Sequence, residues 1–245
     1  MASQHEYQIT IFSPEGKLHQ IEYAFKAIKS SNLTSVAVRG KNCVVLCTEK
    51  KIGDRMIDPD TVTNIYRITP QIGCLVTGRD SDGRAWISRL RQEAFEYQEE
   101  NGEQIPVDVL ASRAADVSQV YTQKSFMRAY AVELMFAAID SEKGPMLLKV
   151  DPAGHYLGYF AATSGVKEQE AQANFEKAFK ERNGFNNLTE AETVKVAVEC
   201  LQNTIGQDFK STDIEIGIIS DKSKAFKKLT EEEIEAHLRV IQKFE

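Results

Sequence analysis

The sequence predicts an α+β fold in which two sheets pack face to face with a helix pair outside each. Two observations support this class. Predicted elements run in the order strands, paired helices, strands, paired helices and strand, which favours α+β over a βαβ repeat. The strands are also apolar on both faces, as in residues 43–47 and 132–139. Strands of this kind lie in sheets that are covered on both sides.

The chain has 245 residues, near the upper limit for a single domain, and a formal net charge of −6. An acidic balance argues against a general affinity for nucleic acid. No apolar run approaches the roughly 20 residues needed to span a bilayer. The N-terminus lacks the basic start and apolar stretch of a signal peptide, so we expect a protein of the cytoplasm and nucleus.

The elements of the first half begin with a β-turn at Ser13-Pro14-Glu15-Gly16, because proline and glycine occupy their favoured turn positions. Apolar residues then recur at helical spacing and predict an amphipathic helix over residues 17–31. The next predicted elements are strands at 35–39, 43–48, 63–68 and 72–77, followed by helices at 79–100 and 107–123.

The second half is predicted to repeat this order. Its elements are strands at 130–139, 146–150 and 155–161, helices at 167–182 and 190–205, a strand at 214–219 and a helix at 231–243. Two of these helices carry a capping box, Thr189 with Glu192 and Thr230 with Glu233. These are structural signals and indicate no chemistry.

The usual catalytic and cofactor motifs are missing, and we predict no cofactor and no metal. The segment Asp80-Ser81-Asp82-Gly83 has its glycine too early for a calcium loop, so a helix start is preferred. The cysteines, at 43, 47, 74 and 200, form no C-x-x-C pair and are interpreted as buried thiols. The histidines, at 5, 19, 155 and 237, are scattered and are interpreted as surface or packing residues.

Two features leave alternatives open. Glu133 lies in an otherwise apolar strand, where an unpaired carboxylate would cost several kcal/mol. Either it pairs with a cation, or its strand position faces a subunit contact or an open chamber. The lysines at 222, 224, 227 and 228 could form a nuclear-import patch, but a solvated loop before the last helix is preferred.

Residues 9–24, Ile-Thr-Ile-Phe-Ser-Pro-Glu-Gly-Lys-Leu-His-Gln-Ile-Glu-Tyr-Ala, strongly resemble the N-terminal signature of proteasome α subunits. Further similarity extends over essentially the whole chain. The resemblance implies the N-terminal-nucleophile hydrolase fold, a four-layer αββα sandwich with an extra N-terminal helix. It also implies one α-type domain over 1–245, with a gate tail at 1–12, a helix at 17–31 and the sandwich at 34–245.

Catalytic members of this family use an N-terminal threonine whose own free amine acts as the base. The corresponding position here is Thr34, but Leu33 precedes it where self-cleaving members have glycine. The activating lysine of those members falls at Asn64, which is neutral, although Glu49 stands near the place of the catalytic aspartate. We therefore expect a catalytically inactive subunit of a threonine-type endopeptidase complex. The competing hypothesis is a threonine peptidase that uses Thr34 after processing.

The resemblance implies a hetero-heptameric α ring that scaffolds the β rings, gates the substrate channel and docks regulatory caps at its outer face. The expected partners are neighbouring α subunits, β-ring subunits and those caps. The gate tail here contains His5, Glu6, Tyr7 and Gln8, of which His5-Glu6-Tyr7 stand in place of the family's Tyr-Asp-Arg triplet. Candidate activator-pocket or ring-contact residues are Leu18, Glu22 and Asn64. A third hypothesis is an independent binding module that keeps the fold but joins no ring.

Overall fold

The computed structural model describes residues 10–242, which form two five-stranded antiparallel sheets packed face to face. The strands are β1 Thr34–Arg39, β2 Cys43–Glu49, β3 Ile65–Thr69, β4 Ile72–Gly78, β5 Val132–Asp140, β6 Gly144–Val150, β7 Tyr156–Gly158, β8 Ala161–Gly165, β9 Ile214–Ser220 and β10 Lys227–Lys228. The helices are α1 His19–Lys29, α2 Asp80–Asn101, α3 Val107–Gln123, α4 Glu168–Glu181, α5 Glu190–Ile205 and α6 Glu231–Gln242.

The first sheet has the strand order β10-β9-β2-β1-β8, and the second has the order β3-β4-β5-β6-β7. Helices α4, α5 and α6 cover the outer face of the first sheet, while α2 and α3 cover that of the second. Between the sheets lies a third apolar layer that includes Leu46, Leu75 and Met135, each fully buried. This arrangement confirms the predicted αββα sandwich.

The extra N-terminal helix follows the predicted turn. The Gly16 amide donates to the Ser13 carbonyl at 2.8 Å, and Gly16 has a φ of +76°, which glycine adopts at little cost. The helix covers His19–Lys29 rather than residues 17–31. Its buried side is formed by Ile21, Ala24 and Ile28, and it packs against β4 and β5. It therefore closes one end of the sandwich.

One predicted strand is wrong. The segment 155–161 contains β7 and only the first residue of β8, which continues to Gly165 and belongs to the other sheet. The chain changes sheets at Tyr159 and Phe160: the Tyr159 amide donates to the Leu147 carbonyl in β6, and the Phe160 carbonyl accepts from the Arg39 amide in β1. The two-residue strand β10 was predicted as a loop. The boundaries of most other elements differ from the predictions by one or two residues.

The predicted capping boxes are confirmed. The Thr189 amide donates to Glu192 at 2.8 Å, and the Glu192 amide donates back to Thr189 at 3.5 Å. The corresponding bonds between Thr230 and Glu233 are 3.0 and 3.4 Å long. Across residues 10–242, no helix is both long enough and apolar enough to cross a membrane.

Candidate functional site

Thr34 is the first residue of β1 and is completely buried. Its backbone amide donates a 2.8 Å hydrogen bond to Oε2 of Glu49, whereas its hydroxyl has no hydrogen-bond partner. The preceding residue is held in place, because the Leu33 carbonyl accepts from the Val166 amide at 3.0 Å. A Cβ on Gly165 would come within 2.0 Å of the same carbonyl oxygen. The backbone on the N-terminal side of Thr34 is thus tightly enclosed.

Glu49 is the carboxylate expected near the catalytic aspartate position, and only 2% of it is exposed. Its Oε1 lies 2.8 Å from Nζ of Lys51, which also donates to the Asn32 carbonyl at 2.5 Å. The sequence prediction missed Lys51, since a lysine just after a strand carries no distinctive signal. Lys51 balances the charge of Glu49.

Asn64 lies just before β3 and is half-buried. Its backbone amide donates to Oε2 of Glu215 at 2.8 Å. Oε1 of the same buried carboxylate lies 2.8 Å from Nζ of Lys228. The position where the resemblance places an activating lysine therefore holds a neutral side chain beside a second buried acid, whose counter-ion comes from β10. Lys228 is 43% exposed and forms this ion pair from β10, so it is solvated as expected but lies in a short strand rather than in a loop.

A cleft of 620 Å³ opens between the C-terminal end of α1 and the segment before β3. Asn64, Lys51 and Leu33 line it, together with Arg79 and Arg84 from the start of α2. Because Leu33 directly precedes Thr34, the structure brings Asn64 close to the surroundings of Thr34.

The other two predicted pocket residues lie elsewhere. Leu18 and Glu22 are at the N-terminal end of α1 and do not line this cleft. Glu22 is half-exposed and pairs with Lys17 at 3.5 Å and with His19 at 3.7 Å. Within one chain the three candidates do not form a single pocket, and their role stays a prediction.

Glu133 pairs with a cation, which settles the alternatives left by the sequence. Its Oε2 lies 3.2 Å from Nζ of Lys149 and accepts a short hydrogen bond from the Ser164 hydroxyl. Lys149 also lies 2.6 Å from Glu168. Burial raises the pKa of Glu133, and the charge of Lys149 offsets this only in part. The bond from Ser164 joins β8 of the first sheet to β5 of the second.

Polar residues continue across the inter-sheet space at this end of the sandwich. Ser35 and Thr48 lie opposite each other on β1 and β2, and their hydroxyls are 2.7 Å apart. Thr77 lies opposite Glu133 on β4, and its buried hydroxyl has no hydrogen-bond partner. We call Ser35, Thr48, Thr77, Glu133, Lys149, Ser164 and Glu215 the polar layer. It lies at the end of the sandwich that α1 closes.

Asp82 lies in the first turn of α2, where a helix start was predicted, and its carboxylate joins α2 to the segment before β5. Both its carboxylate oxygens accept from Arg128, at 2.6 and 2.7 Å, and Oδ2 also accepts from the Ala131 amide at 2.9 Å. Burial alone would raise the pKa of Asp82, but the bonds from Arg128 and Ala131 outweigh it and lower that pKa. Tyr130 lies close by and packs against Trp86, with ring centroids 5.2 Å apart.

The four cysteines are buried free thiols, in agreement with their interpretation as buried residues. Burial raises the pKa of each, to about 12 for Cys200, which makes them poor nucleophiles. Within residues 10–242, no cluster of three or more histidine, cysteine, aspartate or glutamate side chains could hold a metal ion. The gate-tail residues His5, Glu6, Tyr7 and Gln8 lie outside the described residues.

Comparison with known proteins gives matches along nearly the whole chain. A family model for proteasome subunits matches residues 29–219, and a model for the N-terminal signature of A-type proteasome subunits matches residues 5–27. The chain is 47% identical over 233 residues to the probable proteasome alpha type-1 subunit of Schizosaccharomyces pombe, covering 95% of this chain and 94% of that protein.

Two further relatives are similar over nearly the whole length of both chains. The proteasome alpha type-6 subunit of Caenorhabditis elegans is 41% identical over 95% of this chain and 94% of its own length. The proteasome alpha subunit of Sulfolobus acidocaldarius is 35% identical over 92% of this chain and 91% of its own length.

Proposed function

The chain belongs to the proteasome subunit family as an α-type member, a structural subunit of the core-particle α ring, and we propose that it is catalytically inactive there. Within the family, residues 10–15 and 22–27 most resemble the α1 subunit, also called α type 6. The relatives named alpha type-1 and alpha type-6, at 47% and 41% identity, agree with this assignment.

The environment of Thr34 is the main support for the proposal that the chain is catalytically inactive. Nucleophilic catalysis by a threonine of this family requires a free α-amine as the base. Here the Thr34 nitrogen is a peptide amide that already donates to Glu49, and the hydroxyl beside it is fully buried. Asn64 supplies no positive charge that could activate the hydroxyl. A substrate carbonyl therefore has neither access to the nucleophile nor a base to activate it.

Intact-mass measurement of the chain isolated from the assembled particle tests this proposal. We expect a mass that retains Leu33 and the α1 segment, because the bond before Thr34 stays uncleaved. A mature chain beginning at Thr34 would refute inactivity and favour the threonine peptidase. Size-exclusion chromatography of the native protein tests the remaining alternative, since an independent binding module predicts a monomer of 27.5 kDa.

We also propose that regulatory caps dock at the outer face of the ring, and that this subunit binds their terminal carboxylates weakly. Asn64 offers no cation, and Lys51 in the same cleft is engaged by Glu49 and the Asn32 carbonyl. An Asn64→Lys variant should therefore increase binding of a cap's C-terminal peptide to the assembled particle. An Asn64→Gln variant is the neutral control, and equal binding by both variants would refute the docking proposal.

The proposed partners are neighbouring α subunits and β-ring subunits, with which the chain would scaffold the β rings in ubiquitin-dependent and ubiquitin-independent protein degradation. Native mass spectrometry of the particle would identify these subunits, and their absence would contradict the proposal. We propose a location in the cytoplasm and nucleus, which fractionation of cells that express a tagged chain would test.

A further inference from the structure

The cleft between α1 and the segment before β3 has an excess of positive charge. Three cationic side chains and one acidic side chain line it: Lys51, Arg79, Arg84 and Asp80. The whole chain, by contrast, has a formal net charge of −6. A cleft lined mainly by one sign of charge concentrates ions of the opposite sign within it. The cleft therefore attracts anions, although the protein as a whole repels them.

The two arginines of the cleft are available to a ligand. Arg79 directly precedes α2, Arg84 lies in the second turn of that helix, and both are exposed. Within residues 10–242, neither guanidinium group forms a hydrogen bond or an ion pair. Arg128 differs in this respect, because it is paired with Asp82 at 2.6 Å. The positive charges of Arg79 and Arg84 thus have no structural partner in the described part of the chain.

Most of the neutral donors in the cleft are already engaged. The hydroxyls of Ser30, Thr61 and Tyr66 donate to backbone carbonyls at 2.7, 2.7 and 2.8 Å. The side-chain amide of Asn64 differs, since it forms no hydrogen bond to any residue that the structure describes. Lys51 is engaged by its ion pair and its backbone carbonyl. The uncommitted donors of the cleft therefore include the Asn64 amide and the two guanidinium groups.

We propose that Arg79, Arg84 and Asn64 bind a phosphate group in this cleft. Guanidinium groups donate paired hydrogen bonds to phosphate oxygens. The oxygens of a tetrahedral phosphate point in several directions, so both arginines and the amide can donate to it at once. A planar carboxylate has only two oxygens and a single charge. The volume of the cleft, 620 Å³, lies within the range of small-molecule sites and accommodates free phosphate or a small phosphomonoester.

This inference goes beyond the proposed function, because the ligand is a free small molecule and its binding needs no neighbouring subunit. It is therefore tested on the purified full-length chain. A failure to bind phosphate would leave the assignment to the α ring unaffected. A chain that binds phosphate but joins no ring would refute that assignment and support the phosphate site.

Isothermal titration calorimetry with inorganic phosphate, at low ionic strength and about pH 8, measures the binding. The double variant Arg79→Gln with Arg84→Gln should bind phosphate at least about tenfold more weakly, because it lacks both charged donors. The matched control is Arg55→Gln with Arg239→Gln, which removes the same charge from exposed arginines outside the cleft. We expect this control to bind phosphate as the unmodified chain does.

A second variant should strengthen binding, so its result cannot be produced by misfolding. Asp80→Asn removes the acidic side chain that faces the cleft, and it should therefore tighten phosphate binding severalfold. Asp116→Asn is the control, since Asp116 is exposed on α3 and does not line the cleft. Equal affinities in the Asp80 and Asp116 variants would contradict the proposal.

Parallel titrations identify the class and the source of the ligand. Acetate should bind at least about tenfold more weakly than phosphate, since it cannot reach all three donors. Tighter binding of glycerol 2-phosphate than of inorganic phosphate would identify a phosphorylated small molecule as the ligand, and the reverse order would identify free phosphate. The proposal is overturned if the unmodified chain binds no phosphate, if acetate binds equally well, or if both double variants weaken binding alike.

Discussion

Nζ of Lys149 lies 3.2 Å from Oε2 of Glu133 between the two sheets, where both side chains are almost completely removed from solvent. Lys149 also pairs with Glu168, so one cation serves two carboxylates. Breaking a buried ion pair by removing one partner leaves an uncompensated charge in the interior. The stability of the fold should therefore depend strongly on the charged side chains of the polar layer.

We expect Lys149→Met to lower the free energy of unfolding by about 3–5 kcal/mol, because it leaves Glu133 buried without a counter-charge. Chemical denaturation, followed by the fluorescence of the single tryptophan, Trp86, measures the change. Lys143→Met is the control, because Lys143 forms an exposed pair with Asp108 and should have little effect. Equal losses in the two variants would contradict this account of Lys149.

The pH dependence of the free energy of unfolding should reveal the ionisation of Glu133. Burial raises its pKa above the ordinary 4.5, so the folded state binds this proton more tightly than the unfolded chain does. The contribution to stability is fully present below pH 4.5 and is lost as the pH rises through the folded pKa. The glutamine side chain of a Glu133→Gln variant cannot ionise. This variant should therefore lose less of its free energy of unfolding than the unmodified chain as the pH rises. Parallel stability curves, measured by denaturation at several pH values, would contradict this prediction.

Thr34→Val should leave peptide hydrolysis by the assembled particle unchanged, because the hydroxyl it removes is buried and the proposed inactivity gives it no part in catalysis. The unfolding free energy should change by less than about 1 kcal/mol, since that hydroxyl has no partner to lose. Thr48→Val is the matched control: its hydroxyl lies 2.7 Å from that of Ser35, and its loss should cost about 1–2 kcal/mol. Loss of one peptidase activity in the Thr34 variant would identify Thr34 as a catalytic residue.

Deletion of residues 2–8 should raise basal peptide hydrolysis by the assembled particle, if this tail obstructs the channel as the family resemblance implies. The segment includes His5, Glu6 and Tyr7 and lies outside the described residues, so this prediction rests on sequence. Fluorogenic peptide hydrolysis measures the effect, and substitution of the same residues by a glycine-serine segment of equal length is the control. Unchanged hydrolysis after the deletion would show that other subunits close the gate.

The sequence predicted most of the fold because local patterns determine most of its elements. Helical spacing of apolar residues and the Thr189–Glu192 capping box placed α5 at Glu190–Ile205, as observed. The division between β7 and β8 was missed because it depends on tertiary hydrogen bonds from Tyr159 to β6 and from Arg39 to Phe160. No local signal in residues 155–161 marks that change of sheet.

The site was predictable in part. Motif resemblance identified Thr34, Glu49 and Asn64, but not the lysines that balance the buried acids. Lys228 reaches Glu215 only because β10 pairs with β9, and a two-residue strand gives no periodic pattern. Whether Glu133 was paired could not be decided until the relative positions of β5 and β6 were known.

The buried carboxylate of Glu133 also constrains how β5 can align with its neighbours. Side chains alternate along a strand, so a slip of one residue would turn Glu133 toward the helix-facing side that Val132 and Leu134 occupy. There it would lose both Lys149 and Ser164 and lie unpaired among apolar side chains, at a cost of several kcal/mol. An all-apolar β5 would tolerate that misalignment far better. The ion pair therefore favours the correct register of β5 over a register shifted by one residue.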